Sequence, residues 1–246
     1  MRGRRRIAPS ADSAVLCCAA MKILRRLRRL FLPDPNRFLR TVRGVVHIGA
    51  NVGQERALYD RYGLDVLWVE PIPDVFAALA ANIAAFPKQR ALQCLVTDRD
   101  DAPYEFNIAN NGGESSSILP LEQHRDVWPK VKFTTTITLR SSTLPTLLVR
   151  ERIDLARYDA LVMDTQGSEL LVLKGADALL ERFRFIKTEV PDFEAYTGCA
   201  KLDDIARFLE ERGYAQISRH RFATRAGGGN YYDVVYGKQL NSIGRQ

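Results

Sequence analysis

A glycine-rich turn follows the first apolar stretch of the sequence and precedes a segment of helical composition. The turn reads HIGANVG over residues 47–53. Glycine lets the backbone approach a ligand closely and take a positive φ, and the free N–H groups that open a helix bind anions or carboxylates. Asn51 stands where the GxGxxG pattern of dinucleotide binders has a glycine, which disfavours a pyrophosphate. The predicted cofactor contacts are His47, Gly49, Ala50, Asn51 and Gly53, although His47 is also typical of a packed strand residue.

A carboxylate closes the next predicted strand. Glu70 lies 17 residues after Gly53, and Pro71 and Pro73 would fix the turn that presents it. An acid at this place can accept hydrogen bonds from both hydroxyls of an adenosine ribose. The alternative is a strand end that faces solvent, but the glycine turn before it favours ribose binding. Asp98 follows the third predicted strand, where an adenine amino group would be recognised.

Two more carboxylates stand at the ends of predicted strands. Asp164 and Glu189 would project from the same carboxyl edge of a parallel sheet as Gly49 and Glu70. Clustered acids are costly unless a ligand, a metal or a proton uses them. We therefore predict that one of them is a general base for a substrate hydroxyl. Mg²⁺ held by both and a third oxygen ligand is the less favoured alternative, and helix capping after Gly167 is the structural one.

The elements that must position these residues alternate between strand and helix. The predicted strands are 45–48, 66–70, 91–97, 133–139, 160–164, 185–190, 215–222 and 231–236, and the predicted helices are 54–62, 73–86, 168–180 and 202–211. Short apolar strands separated by helices indicate parallel βαβ units with helices on both faces. The last two strands have no helix between them, so one of them is expected to be antiparallel. The predicted fold is α/β and Rossmann-like.

Two further segments supply candidate substrate contacts. Residues 101–132 fit no single period, and we interpret them as an insertion over the carboxyl edge of the sheet, where open α/β folds bind ligands. Ser115 and Ser116 lie in this segment. His220 and Tyr232 flank the terminal glycine turn and are also candidates, although a lone histidine is more often structural and Tyr232 suits the core equally well.

The charge of the 246-residue chain is unevenly distributed. The net charge is +7, but residues 1–43 carry twelve Arg or Lys and two acids, whereas the remainder carries 24 basic and 27 acidic residues. A nucleic-acid-binding domain should carry its basic surface itself, so a nucleic-acid partner is disfavoured. Together with the run of predicted strands and helices, this uneven charge predicts three parts. They are a basic extension over 1–43, a catalytic domain over 44–238 and a tail over 239–246.

The basic extension allows several interpretations. Residues 1–20 are similar to a weak signal peptide, but the apolar stretch is short and runs into basic residues. They could also precede a true start at Met21. Residues 21–31 have helical apolar spacing with arginines opposite, which predicts either peripheral contact with an anionic membrane or packing on the domain.

Cysteine usage and hydropathy limit the class of protein. The four cysteines form no CxxC pair and do not cluster with the three histidines. A zinc finger or a disulfide framework is therefore disfavoured, and a reducing compartment is expected. No apolar run reaches the roughly 18 residues of a membrane span. The predicted location is the cytoplasm, with the inner membrane surface as an alternative site.

Taken in order over about residues 45–237, these motifs resemble the FkbM-type methyltransferase family. The matching segments are HxGANxG at 47–53, VEP at 69–71, SSS at 115–117, TLP at 143–145, MDTQGSEL at 163–170, LKGA at 173–176 and TEV at 188–190. The resemblance implies a class I Rossmann-like methyltransferase fold, S-adenosylmethionine as cofactor and O-methylation, often of a sugar or polyketide hydroxyl. It favours a carbohydrate or glycolipid-type acceptor here.

Two positions depart from the family pattern. The family usually has Asp where His47 stands, and an acid there helps to position the methionine part of the cofactor. It usually has Leu-Asp where this chain has Leu144-Pro145. The departures predict a subgroup with its own acceptor. They leave open a catalytically degenerate fold that binds glycans or a partner, while an NAD-linked oxidoreductase is disfavoured by the missing GxGxxG.

Overall fold

The structure is a computed structural model that describes residues 35–239. The strands are β1 Gly44–Ile48, β2 Asp65–Glu70, β3 Gln89–Gln93, β4 Leu95–Val96, β5 Pro103–Ala109, β6 Phe133–Ser142, β7 Ala160–Met163, β8 Phe185–Pro191, β9 Tyr214–Thr224 and β10 Asn230–Lys238. The helices are α1 Arg56–Arg61, α2 Pro73–Ile83, α3 His124–Val127, α4 Leu144–Arg150, α5 Glu169–Gly175, α6 Asp177–Leu180 and α7 Leu202–Glu210, with 3-10 turns at Arg37–Thr41 and Leu155–Arg157. The predicted signal-like segment, the basic helix over 21–31 and nearly all of the C-terminal tail lie outside the described residues.

Seven strands form one mostly parallel sheet in the order β3-β2-β1-β7-β8-β10-β9. The five strands from β3 to β8 pair in parallel, and β10 runs antiparallel to both β8 and β9. The predicted α/β fold with an antiparallel C-terminal strand is confirmed. The order reverses between β1 and β7, which is the switch point where such sheets bind ligands.

A second sheet of three strands, in the order β4-β6-β5, lies outside the large one. The predicted strand over 91–97 divides here, because β3 pairs with β2 whereas β4 pairs with β6. The prediction that 101–132 contains no regular period is wrong for β5, which pairs antiparallel with β6. Ser117 then bridges back to Asn107 of β5, whereas Leu121 bridges to Tyr196, which follows β8.

Two helical segments also differ from the expectation. The predicted helix over 168–180 is divided into α5 and α6. At the break, a Cβ on Gly175 would lie 2.1 Å from the carbonyl oxygen of Thr97, so only glycine permits this close approach. Helix α4 was not predicted, and it begins where the Thr143 side chain accepts a hydrogen bond from the N–H of Thr146.

The large sheet has a hydrophobic cluster on each face. Alternate residues of a strand point to opposite faces, so Val46 and Ile48 join the cluster that contains Leu161, whereas Val45 joins the one that contains Trp68. His47 shares the face of Val45. Among the described residues, none of the helices is long and apolar enough to cross a membrane.

Candidate active site

A cleft of about 350 Å³ opens at the carboxyl ends of β1, β2, β7 and β8. The structure brings nine of the predicted site residues together along its walls. They are His47, Gly49, Ala50, Asn51, Glu70, Ser115, Ser116, Asp164 and Glu189. The insertion over 101–132 therefore contributes to the cleft, as predicted.

The glycine turn brings β1 close to the start of the segment after β7. Gly49 has φ +78°, and a Cβ there would lie 1.8 Å from the carbonyl oxygen of Asp164. The N–H groups of Gly49 and Ala50 both donate to the carbonyl of Val69, at 3.0 and 3.1 Å. Asn51 takes the left-handed conformation, with φ 44°. The turn is therefore fixed in a shape that a side chain at position 49 would prevent.

Glu70 is held by two backbone donors. Its Oε2 accepts from the N–H of Asn51 and its Oε1 from the N–H of Ile72, both at 2.9 Å. Burial raises the pKa of Glu70 to about 7, against the lowering effect of these two hydrogen bonds. Each oxygen keeps further acceptor capacity. The carboxylate therefore fits the two hydroxyls of a ribose.

Apolar side chains continue the wall beside Glu70. Ile72, Leu95, Val96 and Phe106 line this part of the cleft. Such a surface, next to a carboxylate set for a ribose, fits the flat adenine ring of S-adenosylmethionine. Gly49, Asn51 and Glu70 would hold the ribose and methionine parts of this cofactor.

Asp164 and Glu189 lie next to each other at the edge of the sheet. Met163 pairs with Thr188, and each acid follows its member of this pair. The N–H of Asp164 donates to the carbonyl of Ile48 at 3.0 Å, which anchors the residue to β1. Burial raises the pKa of Asp164 to about 7. Burial and then the Asp164 charge raise the pKa of Glu189 well above its usual range.

His47 is a packed strand residue, in line with the structural interpretation of its sequence position. Its ring stacks on Trp68 with 4.9 Å between centroids, and its Nδ1 lies 3.2 Å from the hydroxyl of Tyr59. Burial lowers the pKa of His47 to about 4, so the ring is neutral at physiological pH. It lines the cleft next to the glycine turn.

Two residues predicted to contact the cofactor do not line this cleft. A Cβ on Gly53 would meet Leu79 at 2.8 Å, so this glycine permits the packing of α2 on the turn. Asp98 lies against the end of α5. A Cβ on Gly175 of that helix would be 2.9 Å from the Cα of Asp98. The apolar wall that would contact adenine is instead formed by Ile72, Leu95, Val96 and Phe106.

Two residues predicted to bind substrate also lie elsewhere. His220 is exposed on β9, opposite Asp233 of β10. The hydroxyl of Tyr232 donates to Oδ2 of Asp192 at 3.2 Å, on the face of β10 opposite to Tyr231. The alternation of strand residues explains the second difference, because Tyr231 and not Tyr232 faces the insertion.

The cleft contains a buried histidine that the sequence did not single out. His124 lines the wall, with Nδ1 2.6 Å from the hydroxyl of Tyr231 and Nε2 3.1 Å from Oγ of Ser115. Its ring also packs against Trp128, with 4.6 Å between centroids. Burial lowers the pKa of His124 to about 4. It lies in a segment without periodicity, so only its proximity to Ser115 in the chain could have indicated it.

Gln166 orients Asp164 and was also missed. Its Nε2 donates to Oδ1 of Asp164 at 2.5 Å, and its Oε1 accepts from the hydroxyl of Tyr196 at 2.7 Å. Gln166 takes φ 53° to make these contacts, and Oγ of Ser117 donates to its carbonyl at 2.7 Å. Ser117 thus stabilises the loop that carries Asp164 and Gln166.

Ser115 and Ser116 also have internal partners. Oγ of Ser115 accepts from Nδ2 of Asn111 at 2.9 Å, and Oγ of Ser116 accepts from the N–H of Ala109 at 3.0 Å. Within residues 35–239, no group of three or more His, Cys, Asp or Glu is arranged to hold a metal ion.

The family model for the methyltransferase FkbM domain matches residues 47–215. The chain belongs to this family. It is 27% identical over 200 residues to the 2-O-methyltransferase NoeI of Sinorhizobium fredii, which covers 78% of each chain. Membership makes the chain an S-adenosylmethionine-dependent methyltransferase, and the glycine turn and Glu70 are the parts of the cleft that fit this cofactor.

Solved methyltransferase structures are also similar to the chain. M. capricolum TrmK in complex with S-adenosylhomocysteine has a TM-score of 0.48 and 8% identity, covering 86% of this chain and 71% of its own. The 1,6-didemethyltoxoflavin-N1-methyltransferase of Burkholderia thailandensis has a TM-score of 0.41 and 15% identity, covering 97% and 94%.

Proposed function

We propose that the protein transfers a methyl group to a hydroxyl of a carbohydrate or glycolipid-type acceptor, with Glu189 as the general base and Asp164 beside it. The observation that carries the proposal is the state of the Glu189 carboxylate. Within residues 35–239 no hydrogen-bond donor reaches it, although it lines the cleft. It is therefore free to accept a hydrogen bond from a bound hydroxyl.

The other carboxylates of the site are already engaged. Glu70 accepts two backbone hydrogen bonds, Asp164 accepts one from Gln166, and Glu169 accepts from the N–H groups of Thr165 and Gly167. A general base must be within hydrogen-bond reach of the proton that it takes, and its pKa should suit the working pH. Glu189 meets the first condition better than its neighbours do, because no described residue donates a hydrogen bond to its carboxylate.

The reaction requires the protein to position the acceptor oxygen and to accept one proton. Bound S-adenosylmethionine supplies a methyl group that its sulfonium has already activated. The residues of the cleft align the acceptor oxygen with that group. Glu189 takes the proton of the acceptor hydroxyl as the new bond forms, and Asp164, held by Gln166, supports the orientation of the same hydroxyl.

Aromatic side chains support a sugar as the acceptor. Trp128 and Phe222 also line the cleft, and Phe222 is 39% exposed. Aromatic rings present a large apolar face, and cleft-lining polar groups fix the orientation of a ligand. The apolar face of a sugar ring fits Trp128 while its hydroxyls point to the acids. The name of the relative NoeI, a 2-O-methyltransferase, also supports transfer to oxygen.

The first test is thermal unfolding with S-adenosylmethionine, S-adenosylhomocysteine or NADH. A ligand at about 100 times its Kd stabilises by roughly 2.7 kcal/mol, which raises Tm by a few degrees. We expect a shift with the two sulfur compounds and none with NADH. Methyl transfer is then assayed with neutral glycosides as acceptors and mass detection of the product. Transfer to an amine of an aminoglycoside, with none to any hydroxyl, would contradict the proposed function.

A further inference from the structure

A single ammonium group lies on the same strand face as Glu189. Lys187 and Glu189 are two residues apart on β8, so their side chains share one face of the sheet. Asp233 of β10 pairs with Glu189 across the two strands. Nζ of Lys187 lies 3.0 Å from Oδ1 of Asp233, and both side chains are mostly buried, at 21% and 27% exposed.

The arrangement is unusual for three charged side chains that are all partly buried. Diagonal neighbours on paired strands are within reach of a long side chain, so Lys187 extends from its own strand to Asp233. Glu189 is next to both, yet it receives no hydrogen bond from any described residue. The ammonium that could neutralise Glu189 is therefore bound by another carboxylate.

We propose that Asp233 is a positioning residue that holds Lys187 away from Glu189 and so preserves Glu189 as a proton acceptor. A carboxylate paired directly with an ammonium is a weak base, because the ion pair favours the ionised form. With Lys187 held by Asp233, Glu189 keeps a high affinity for a proton. The catalytic consequence rests on the proposed function of Glu189, whereas the charge arrangement does not.

The groups that face Glu189 come from four elements. Asp164 follows β7, Asp233 is on β10, Glu169 opens α5, and Lys187 precedes Glu189 on β8. The three acids raise the pKa of Glu189 and Lys187 lowers it, in addition to the raising effect of burial. Removing the Lys187 charge should therefore raise the pKa of Glu189, and removing the Asp233 charge should lower it.

The experiment is an NMR titration of the protein with carboxyl-labelled glutamate, and it needs no acceptor. The Glu189 signal is assigned by its loss in Glu189→Gln. Four chains are compared: wild type, Asp233→Asn, Lys187→Met and the double variant. An opposite charge that moves close to a carboxyl lowers its pKa by about 1–3. We expect Asp233→Asn to lower the Glu189 midpoint by at least about one pH unit, and Lys187→Met to raise it.

The double variant separates the release of Lys187 from the loss of the Asp233 charge alone. If Asp233 restrains Lys187, Asp233→Asn must lower the Glu189 midpoint more in the presence of Lys187 than in the Lys187→Met background. Equal effects in the two backgrounds would overturn the proposal, and so would an upward shift in Asp233→Asn. Asp233→Glu, which keeps the charge, should restore most of the wild-type midpoint.

A matched control and an activity readout complete the design. Asp177→Asn breaks an ion pair with Arg212 at the surface and should leave the Glu189 midpoint unchanged. Once an acceptor is known, Asp233→Asn should move the acidic limb of kcat/KM to lower pH by the same amount. A shifted NMR midpoint with an unmoved activity profile would contradict the role of Glu189 as base and leave the restraint on Lys187 established.

Discussion

Asp164, directly after β7, and Glu189, on β8, lie at matching positions one step beyond the Met163–Thr188 pair. Neighbouring strands lie about 4.8 Å apart, so two buried carboxyl groups face one small volume. Two acids this close cannot both ionise at low cost. The Asp164 charge accordingly raises the pKa of Glu189, in addition to the raising effect of burial.

The acid pair gives the first prediction. Glu189→Gln should lower kcat at least about a hundredfold, as expected for loss of a general base, while the Kd for S-adenosylhomocysteine stays within a few-fold. Asp164→Asn should also lower kcat. Calorimetry gives the Kd and mass-detected methyl transfer gives kcat, with Asp177→Asn as the control. Normal turnover in both acid variants would contradict the assignment of the base.

Glu70 should make cofactor binding depend on pH. Its ionised form accepts hydrogen bonds from ribose hydroxyls, whereas a protonated form loses acceptor capacity. Because burial raises the pKa of Glu70 to about 7, the affinity for S-adenosylhomocysteine should increase as the pH rises through that value. Glu70→Gln should bind at least about tenfold more weakly and lose this dependence. Calorimetric titrations across this range test it, and a variant with an unchanged pH profile would exclude Glu70 as the cause.

His47 should contribute to stability in a pH window of its own. The pKa of His47 is lowered from 6.5 to about 4, so the unfolded chain binds a proton between these values and the folded chain does not. The stabilisation is complete above pH 6.5 and is lost as the pH falls towards 4, by up to about 3 kcal/mol. Urea unfolding at several pH values measures this slope.

A phenylalanine is the matched replacement for His47, because the site is a stack on Trp68 beside Tyr59. His47→Phe should remove the part of the pH dependence of the unfolding free energy that His47 causes. The carboxyl groups with raised pKa act in the opposite direction in both proteins, so they cancel in the difference. An identical pH slope in both chains would show that the ring does not remain neutral. His47→Asp, the residue usual in the family, should be less stable, since it buries a carboxyl against Trp68.

His124 should affect the acceptor and leave the cofactor unaffected. It lies between Tyr231 and Ser115 and packs on Trp128, and none of these contacts involves the glycine turn or Glu70. His124→Phe should keep the packing and lose both hydrogen bonds, which leaves Ser115 less constrained. We expect the KM for the acceptor to rise about tenfold, with the Kd for S-adenosylhomocysteine unchanged. A weaker Kd with a normal KM would place His124 on the cofactor side.

Sequence reasoning predicted the strands that carry the site because each is a short apolar run that ends in glycine or an acid. It missed β5, in which the apolar residues Tyr104, Phe106 and Ile108 alternate with polar ones. This alternation is short, and it was not recognised because the stretch 110–132 that follows has no regular pattern. Helix α4 had a recognisable start, with a threonine cap and Pro145 in the first turn.

Residues that reach the cleft from distant parts of the chain could not be predicted in the same way. His124 and Trp128 reach the cleft through the fold of the insertion, and Phe222 reaches it from β9, which pairs with β10. Conversely, Asp98 stands at a plausible position in the order of the motifs, but the division of its strand into β3 and β4 moves the residue towards Gly175. Motif order gives the edge of the sheet at which a residue lies, and not the direction of its side chain.

The two glycines of the turn should respond differently to alanine. Both have positive φ, which costs an L-residue about 1–2 kcal/mol. At Gly49 the added Cβ would also lie 1.8 Å from the Asp164 carbonyl, which is fixed backbone of the site. At Gly53 the nearest atom is Cδ1 of Leu79 at 2.8 Å, the end of a flexible side chain. Gly49→Ala should therefore destabilise by more than about 4 kcal/mol or abolish cofactor binding, and Gly53→Ala should fold and bind. Denaturant unfolding and calorimetry distinguish the two, and equal losses would mean that the contact of Gly49 with the Asp164 carbonyl does not determine the shape of the turn.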